Sequence, residues 1–401
     1  MNAAAGAPAG TTVEAGKQRV AAAVAAHREE ILALSHAIHA DPEPAFLEVH
    51  AAARVADVLR GHGFTVEAPA GRLATAVRAT LAGGLGTDGP RVGILAEYDA
   101  LPGLGHGCGH NTMAASGVGA ALALAEMAPG LRGQIVFLGT PAEEAGSGKQ
   151  YMLDDGLFEG LDAALLFHPG DRDHAACALL ACEDVEVTFT GLQAHAASDP
   201  WRGRNALDAM VLLFSSIGLW RQQLAPDARV HGIITEGGTA ANIIPDRSVA
   251  HFMIRSTDQA YFESMRQRFR EMVTAAGLAT GTEAATVFSS GSTVMKDNAT
   301  LAARFRANMQ AAGRADQGVD PERLGSSDMG NVSLVLPTVH PTLAICDDGV
   351  PGHSTLFRDA AATPRADETT LLAATLVAQT AYELFTEPGL VEAAWREFRG
   401  A

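Results

Sequence analysis

The chain has 401 residues, 47% hydrophobic but only 5% aromatic, with abundant Ala and Gly, which suits helices packed closely on a sheet and not an all-β sandwich. Its 29 Lys and Arg face 46 Asp and Glu, a formal net charge of −17, and an acidic surface of that kind argues against nucleic acid and anionic membranes as partners. No window approaches the length of an apolar transmembrane helix.

Residues 1–16 are Ala/Gly-rich without a basic start and apolar core, and read as a loose tail, not a signal peptide. Helical patterns follow at 20–40 and 48–62, then strand-like apolar runs at 74–81, 91–96, 134–139 and 163–167, with a helix at 112–127. Strand-helix alternation predicts a largely parallel sheet covered on both faces. Near Glu183 the pattern changes: 185–190 alternates with period two, and a helix at 205–223, strands at 230–235 and 248–254, a helix at 259–276 and a strand at 284–288 follow. This β-α-β-β-α-β order fits a ferredoxin-like α+β unit, residues 183–292, inserted into a catalytic α/β domain made of 1–182 and 293–401. The four cysteines, Cys108, Cys177, Cys182 and Cys346, give no disulfide framework, so a reduced cytoplasmic setting is expected.

The chemistry concentrates just past the apolar runs. Glu97-Tyr98-Asp99-Ala100-Leu101-Pro102 and His106-Gly107-Cys108-Gly109-His110-Asn111 bring carboxylates, a thiol and imidazoles between a strand and a helix, where an α/β fold places its site. In an extended segment Cys108 and His110 point to one side and suit one metal ion, and Asn111 is a cap for the next helix. Glu143 and Glu144 follow the 134–139 run, and His168 follows the next. Taken singly, these are a tight turn with a buried thiol, a solvated acidic turn and a structural histidine. Three successive strand ends bearing such groups are hard to assign to chance.

Segments 97–111, 140–147 and 168–169 resemble the metal-dependent amidohydrolase and exopeptidase superfamily that contains aminoacylase and glutamate carboxypeptidase. The wording from Glu97 to Asn111 is most similar to the p-aminobenzoyl-glutamate hydrolase, mammalian-type dipeptidase and indole-acetyl-amino-acid hydrolase branches. The resemblance implies Cys108, His110, Glu144, His168 and His353 as ligands of one or two divalent ions, zinc or manganese first, cobalt or nickel next. It implies Glu143 as general base and then acid, Asp99 as the carboxylate orienting a ligand, and His195 as the oxyanion donor, often across a dimer interface. Asn242 and Arg255 would hold a substrate carboxylate, and the inserted domain would serve as lid and homodimer contact. Glu97 stands where many relatives carry a metal-binding His, which leaves the second metal open. His340 is read as structural or peripheral, and residues 326–331 as bordering the site.

The expected activity is hydrolysis of N-acyl or N-aroyl amino acids to a carboxylic acid and an amino acid, on small amides with a free carboxylate. A dipeptidase on the same scaffold is the nearest rival. A metal-binding protein without catalysis and an aryl C–N hydrolase are the others; the adjacent Glu143 and Glu144 speak against a non-catalytic role, which needs no base beside a ligand.

Overall fold

The computed structural model describes residues 12–289 and 291–400. The chain divides into two units: residues up to Ala178 with Met295–Arg323 and Asn331–Ala401, and Leu179–Val294 with Leu324–Gly330.

In the first unit, a six-stranded sheet runs in the order Thr65–Glu67, Val77–Ala82, Gln134–Gly139, Arg91–Ala96, Ala163–Leu165, Thr338–Val339. The first two pairings are antiparallel and the remaining three parallel, so the sheet is mixed and mostly parallel. Register decides where the chemistry lands: Ala96 lies opposite Gly139, and Ile94 opposite Leu165. The acid-bearing loops after Ala96 and Gly139 therefore leave the sheet at the same level, and His168 follows the third strand by three residues. His168–Gly170 then pairs in parallel with Thr342–Ala344 as a separate two-stranded sheet.

The helix His110–Met127 is buried along almost its whole length, and is apolar or small all round as a fully enclosed helix must be. It packs on Arg91–Ala96 and against the helices Val13–Ala26, Arg28–His39 and Pro364–Thr386. Glycine makes the fit possible, because a Cβ at Gly117 would stand 2.9 Å from the Ala96 Cβ, and one at Gly119 would stand 2.7 Å from Ile31 Cδ1.

In the second unit, Ala181–Thr190, Ala206–Trp220, Arg229–Glu236, Arg247–Ser256, Gln259–Thr280 and Glu283–Phe288 form the β-α-β-β-α-β series. The antiparallel sheet runs Glu283–Phe288, Ala181–Thr190, Arg247–Ser256, Arg229–Glu236. Its alternation buries Val185, Val187, Phe189, Ala250, Phe252 and Ile254 against Met210, Leu213, Ile217, Phe262, Met265 and Phe269 of the two helices. Asn205 caps the first of these helices and Asp258 the second, each accepting from backbone N–H groups of the first turn.

Several local expectations change. The predicted 20–40 helix is two helices, Val13–Ala26 and Arg28–His39, broken at His27 (φ −92°, ψ 7°), whose side chain is tied to Glu126. The helix already begins at Val13, so 13–16 is not loose tail, while 1–11 lie outside the described residues. Cys108 sits in a turn, not an extended segment, and Gly109 (φ 74°) starts the following helix. Asn111 therefore lies inside that helix and does not cap it; its amide donates to Ser35 Oγ and the Ala361 carbonyl, both at 3.0 Å.

Candidate metal centre

Asp99 organises the site. One of its carboxylate oxygens accepts from His110 Nδ1–H at 3.0 Å, and the other accepts the Glu144 backbone N–H at 2.9 Å. The Asp99 carbonyl also faces His110 Nδ1 at 3.0 Å, so this nitrogen carries a ring proton; against burial, the neighbouring Cys108 and Asp99 raise His110 well above its ordinary value, so Nε2 holds a second proton that a cation would displace. That Nε2 is buried, has no hydrogen-bond partner among the described residues, and faces Glu97 Oε2 at 3.3 Å, Glu143 Oε2 at 3.9 Å and Glu144 Oε1 at 4.0 Å. Glu97 Oε2 and Glu144 Oε1 are likewise buried without hydrogen-bond partners among those residues.

His168 repeats the pattern. Its Nδ1–H donates to the Pro169 carbonyl at 2.6 Å, leaving Nε2 3.6 Å from Cys108 Sγ. Burial, reinforced by the neighbouring His340, lowers His168 to about 3, which keeps the imidazole neutral and ligand-competent. His353 arrives from a distant loop: its backbone N–H donates to the Gly107 carbonyl at 2.9 Å, and its Nε2 stands 3.3 Å from Glu144 Oε2. Donor atoms of Cys108, His110 and His168 all lie within 4.8 Å of one another, as do those of Cys108, Glu144 and His353, and of Glu97, His110 and Glu143.

This donor set fits a divalent ion. Buried nitrogen and carboxylate oxygen atoms without hydrogen-bond partners among the described residues converge around a thiol, and a cation in place of the His110 proton would satisfy them. Burial, helped by the Glu144 charge, raises the Cys108 thiol, so it becomes a ligand by giving its proton up to the ion. Burial and the Asp99 charge together raise Glu144 above the usual carboxylate range, against the pull of His110 and His353.

Two buried groups at the site have no motif to announce them. Lys149 is fully buried and its Nζ lies 2.5 Å from Glu97 Oε1. Burial alone would raise Glu97, but the Lys149 ammonium and then His110 hold it down at about 2, so it stays ionised. The second is Glu48, whose Oε1 accepts the Ala142 N–H at 2.8 Å and Oε2 the Thr75 hydroxyl at 2.8 Å. Ala142 has φ +59° immediately before the acid pair, a conformation costly for a residue with a Cβ, and Glu48 braces it. The sequence signal for them is no more than an acid opening a helix and a Lys past the acid pair. His340 is buried, lowered to about 4 by burial, and its Nδ1–H donates to the Leu166 carbonyl at 2.9 Å.

The other predicted residues lie in the second unit. His195 is exposed, and its Nδ1 accepts the Ala197 and Ser198 N–H groups, both at 3.1 Å, so Nε2 carries the proton. Asn242 is its neighbour, the Asn242 carbonyl accepting the Ala196 N–H at 3.0 Å. Arg255 stands on an inner strand of the four-stranded sheet opposite Cys182, and its guanidinium donates to the Met253 thioether, a weak acceptor.

Peptidase family M20/M25/M40 matches residues 93–377, a span that holds every proposed ligand and Glu143. The chain belongs to that family. It is a metal-dependent hydrolase. The mouse Xaa-Arg dipeptidase is 36% identical over 412 residues, covering 96% of this chain and 92% of the relative. One of the subunits of the p-aminobenzoyl-glutamate hydrolase of Escherichia coli K12 is 32% identical over 281 residues, 65% of this chain and 58% of the relative. The fold is shared with a dinuclear metal-binding M20 peptidase of Bacillus subtilis at a TM-score of 0.68 and 19% identity, covering 89% of this chain and 99% of that one.

Proposed function

We propose that this hydrolase cleaves the amide bond of N-acyl or N-aroyl amino acids, releasing a carboxylic acid and an amino acid. The observation that carries the reading is the Glu143 carboxylate 3.9 Å from His110 Nε2, a base beside a ligand that needs none for mere binding. Cys108, His110, Glu144, His168 and His353 would hold the ion, with Glu97 within reach of His110. A divalent ion there supplies Lewis acidity toward the scissile carbonyl and a water molecule; the sulfur ligand favours zinc, with manganese, cobalt and nickel as rivals.

Glu143 takes the water proton and delivers it to the leaving nitrogen. Asp99 holds the Nδ1–H of His110, which leaves Nε2 as the nitrogen that would face the ion. His195, with its proton on Nε2, is suited to meet a developing oxyanion, and one such donor is typically worth about 3–4 kcal/mol of barrier. Arg255, held by a weakly accepting thioether, can turn to pair with both oxygens of a substrate carboxylate, and Asn242 is a second polar contact for it.

We assign the second unit the part of lid and homodimer contact. Its strand Arg229–Glu236 is a sheet edge, and Ile233 and Leu219 are 66% and 76% exposed, the kind of surface a second copy covers. The acidic, free-thiol chain fits a cytoplasmic setting acting on small molecules, apart from nucleic acid and membranes.

A dipeptidase is the second reading, favoured by the 36% identity to the mouse Xaa-Arg dipeptidase over nearly the whole chain. A hydrolysis panel decides between them: N-acyl amino acids against the same amino acids carrying a free α-amine, with each metal restored in turn. Faster turnover of the blocked amides supports the first reading; faster turnover of the free amines replaces it with the second.

A further inference from the structure

A second group of metal-ligating side chains lies at the opposite end of the central helix. His27 sits at the break between Val13–Ala26 and Arg28–His39, Glu30 in the first turn of the latter, and His62 just past Val49–Gly61. Glu30 Oε2 lies 2.9 Å from His62 Nε2 and 3.6 Å from His27 Nδ1, and one ligand atom from each residue falls within 4.8 Å of the others. The imidazoles meet edge to face, with centroids 4.9 Å apart. Neither the carboxylate nor the imidazoles are fully enclosed, so an ion has access from solvent.

Glu126 adds a fourth contact. Its Oε1 lies 3.3 Å from His27 Nε2, where it accepts the ring proton. With that proton on Nε2, the other nitrogen, Nδ1, is the one presented to the Glu30 side of the group. A carboxylate fixing the tautomer of a histidine whose other nitrogen faces further donors is the arrangement that metal-binding histidines use. Ligands about 2.0–2.1 Å from a tetrahedral ion stand roughly 3.3–3.5 Å apart, between the 2.9 Å of the His62–Glu30 hydrogen bond, which an ion would replace, and the 3.6 Å from Glu30 to His27. Glu126 lies sixteen residues beyond His110 on one helix, about 24 Å along its axis, so this group is separate from the catalytic centre.

We propose that His27, Glu30 and His62 bind a zinc ion, completed by water, with Glu126 orienting His27. The ion joins the break between the first two helices, which carries His27 and Glu30, to the end of the third, 32 residues beyond Glu30 in sequence. Two imidazoles and one carboxylate suit zinc over calcium or magnesium, which take oxygen donors.

The test is calorimetric titration of zinc into holoenzyme whose catalytic centre is already loaded, with metal analysis after gel filtration. Wild type should take up one additional equivalent. His27→Ala and His62→Ala should each lose it with amide turnover unchanged, which also shows that the variants fold. Glu126→Gln should keep the site but weaken it about ten-fold or more. Zinc should raise the unfolding temperature of wild type and not of the histidine variants. No additional equivalent in wild type, or the same equivalent in both histidine variants, overturns the proposal and leaves the group as His–Glu ion pairs alone.

Discussion

At the scale of single residues, Glu143 and the ligands separate cleanly. Glu143→Gln keeps the size and one acceptor oxygen but cannot take a proton, so turnover should fall about 10²–10⁴-fold with metal content intact. Retention of wild-type turnover would remove Glu143 as the base. Cys108→Ala and His168→Ala should instead leave a folded protein with less metal by elemental analysis, since their donor atoms meet across 3.6 Å from different segments. Arg255→Ala should raise KM for N-acyl amino acids ten-fold or more, because a charge-assisted hydrogen bond is worth about 1.5–3 kcal/mol. Masking the substrate carboxylate as an amide should then cost wild type a similar factor and the variant almost nothing. Equal sensitivity of both would show that Arg255 serves its strand and not the substrate.

At the scale of elements, the loop carrying Glu143 and Glu144 depends on a helix start far away in the chain. Glu48→Ala strands the buried Ala142 N–H and Thr75 hydroxyl, each costing about 1–3 kcal/mol, and frees the strained turn before the base. We expect kcat to drop more than KM changes, and Glu48→Gln, which can still accept from Ala142, to recover most of it. A variant Glu48→Ala with unchanged kcat would mean that the turn holds itself. The same loop shows what a sequence discloses. The apolar runs 91–96 and 134–139 coincide with the observed strands because buried parallel strands are written as continuous apolar segments. Period-two alternation likewise announces 185–190, although the strand runs Ala181–Thr190. His353 and Arg255 are nameable only by resemblance, since a loop histidine and a strand arginine carry no local signal. Glu48 and Lys149 stay hidden because their meaning lies in partners about a hundred and about fifty residues away, Ala142 and Glu97. The break at His27 escapes the helical pattern because no Pro or Gly marks it in the sequence.

At the scale of the whole molecule, one half-buried acid sets a pH slope on stability. Burial, then the nearby Glu397, raises Asp297 to about 7 from an ordinary 3.8, against the hydrogen bond from Cys177, and its Oδ1 has no partner among the described residues. The folded state thus holds a proton that the unfolded chain releases. Its contribution is complete below about 3.8 and is lost as pH rises through about 7. Asp297→Asn should flatten that decline, making the variant more stable than wild type at pH 8 by on the order of 1–3 kcal/mol, at about 1.4 kcal/mol per pKa unit. Thermal unfolding at pH 5 and pH 8 reads it, and identical slopes would assign the decline elsewhere. The enclosed helix His110–Met127 has another consequence for the molecule. Because neighbours grip it on every side, stripping the ion with a chelator should leave its amides among the slowest to exchange with deuterium. The emptied cradle would then persist, and one batch of protein could be reloaded with different ions in turn, so that their rates are compared on a single unchanged scaffold.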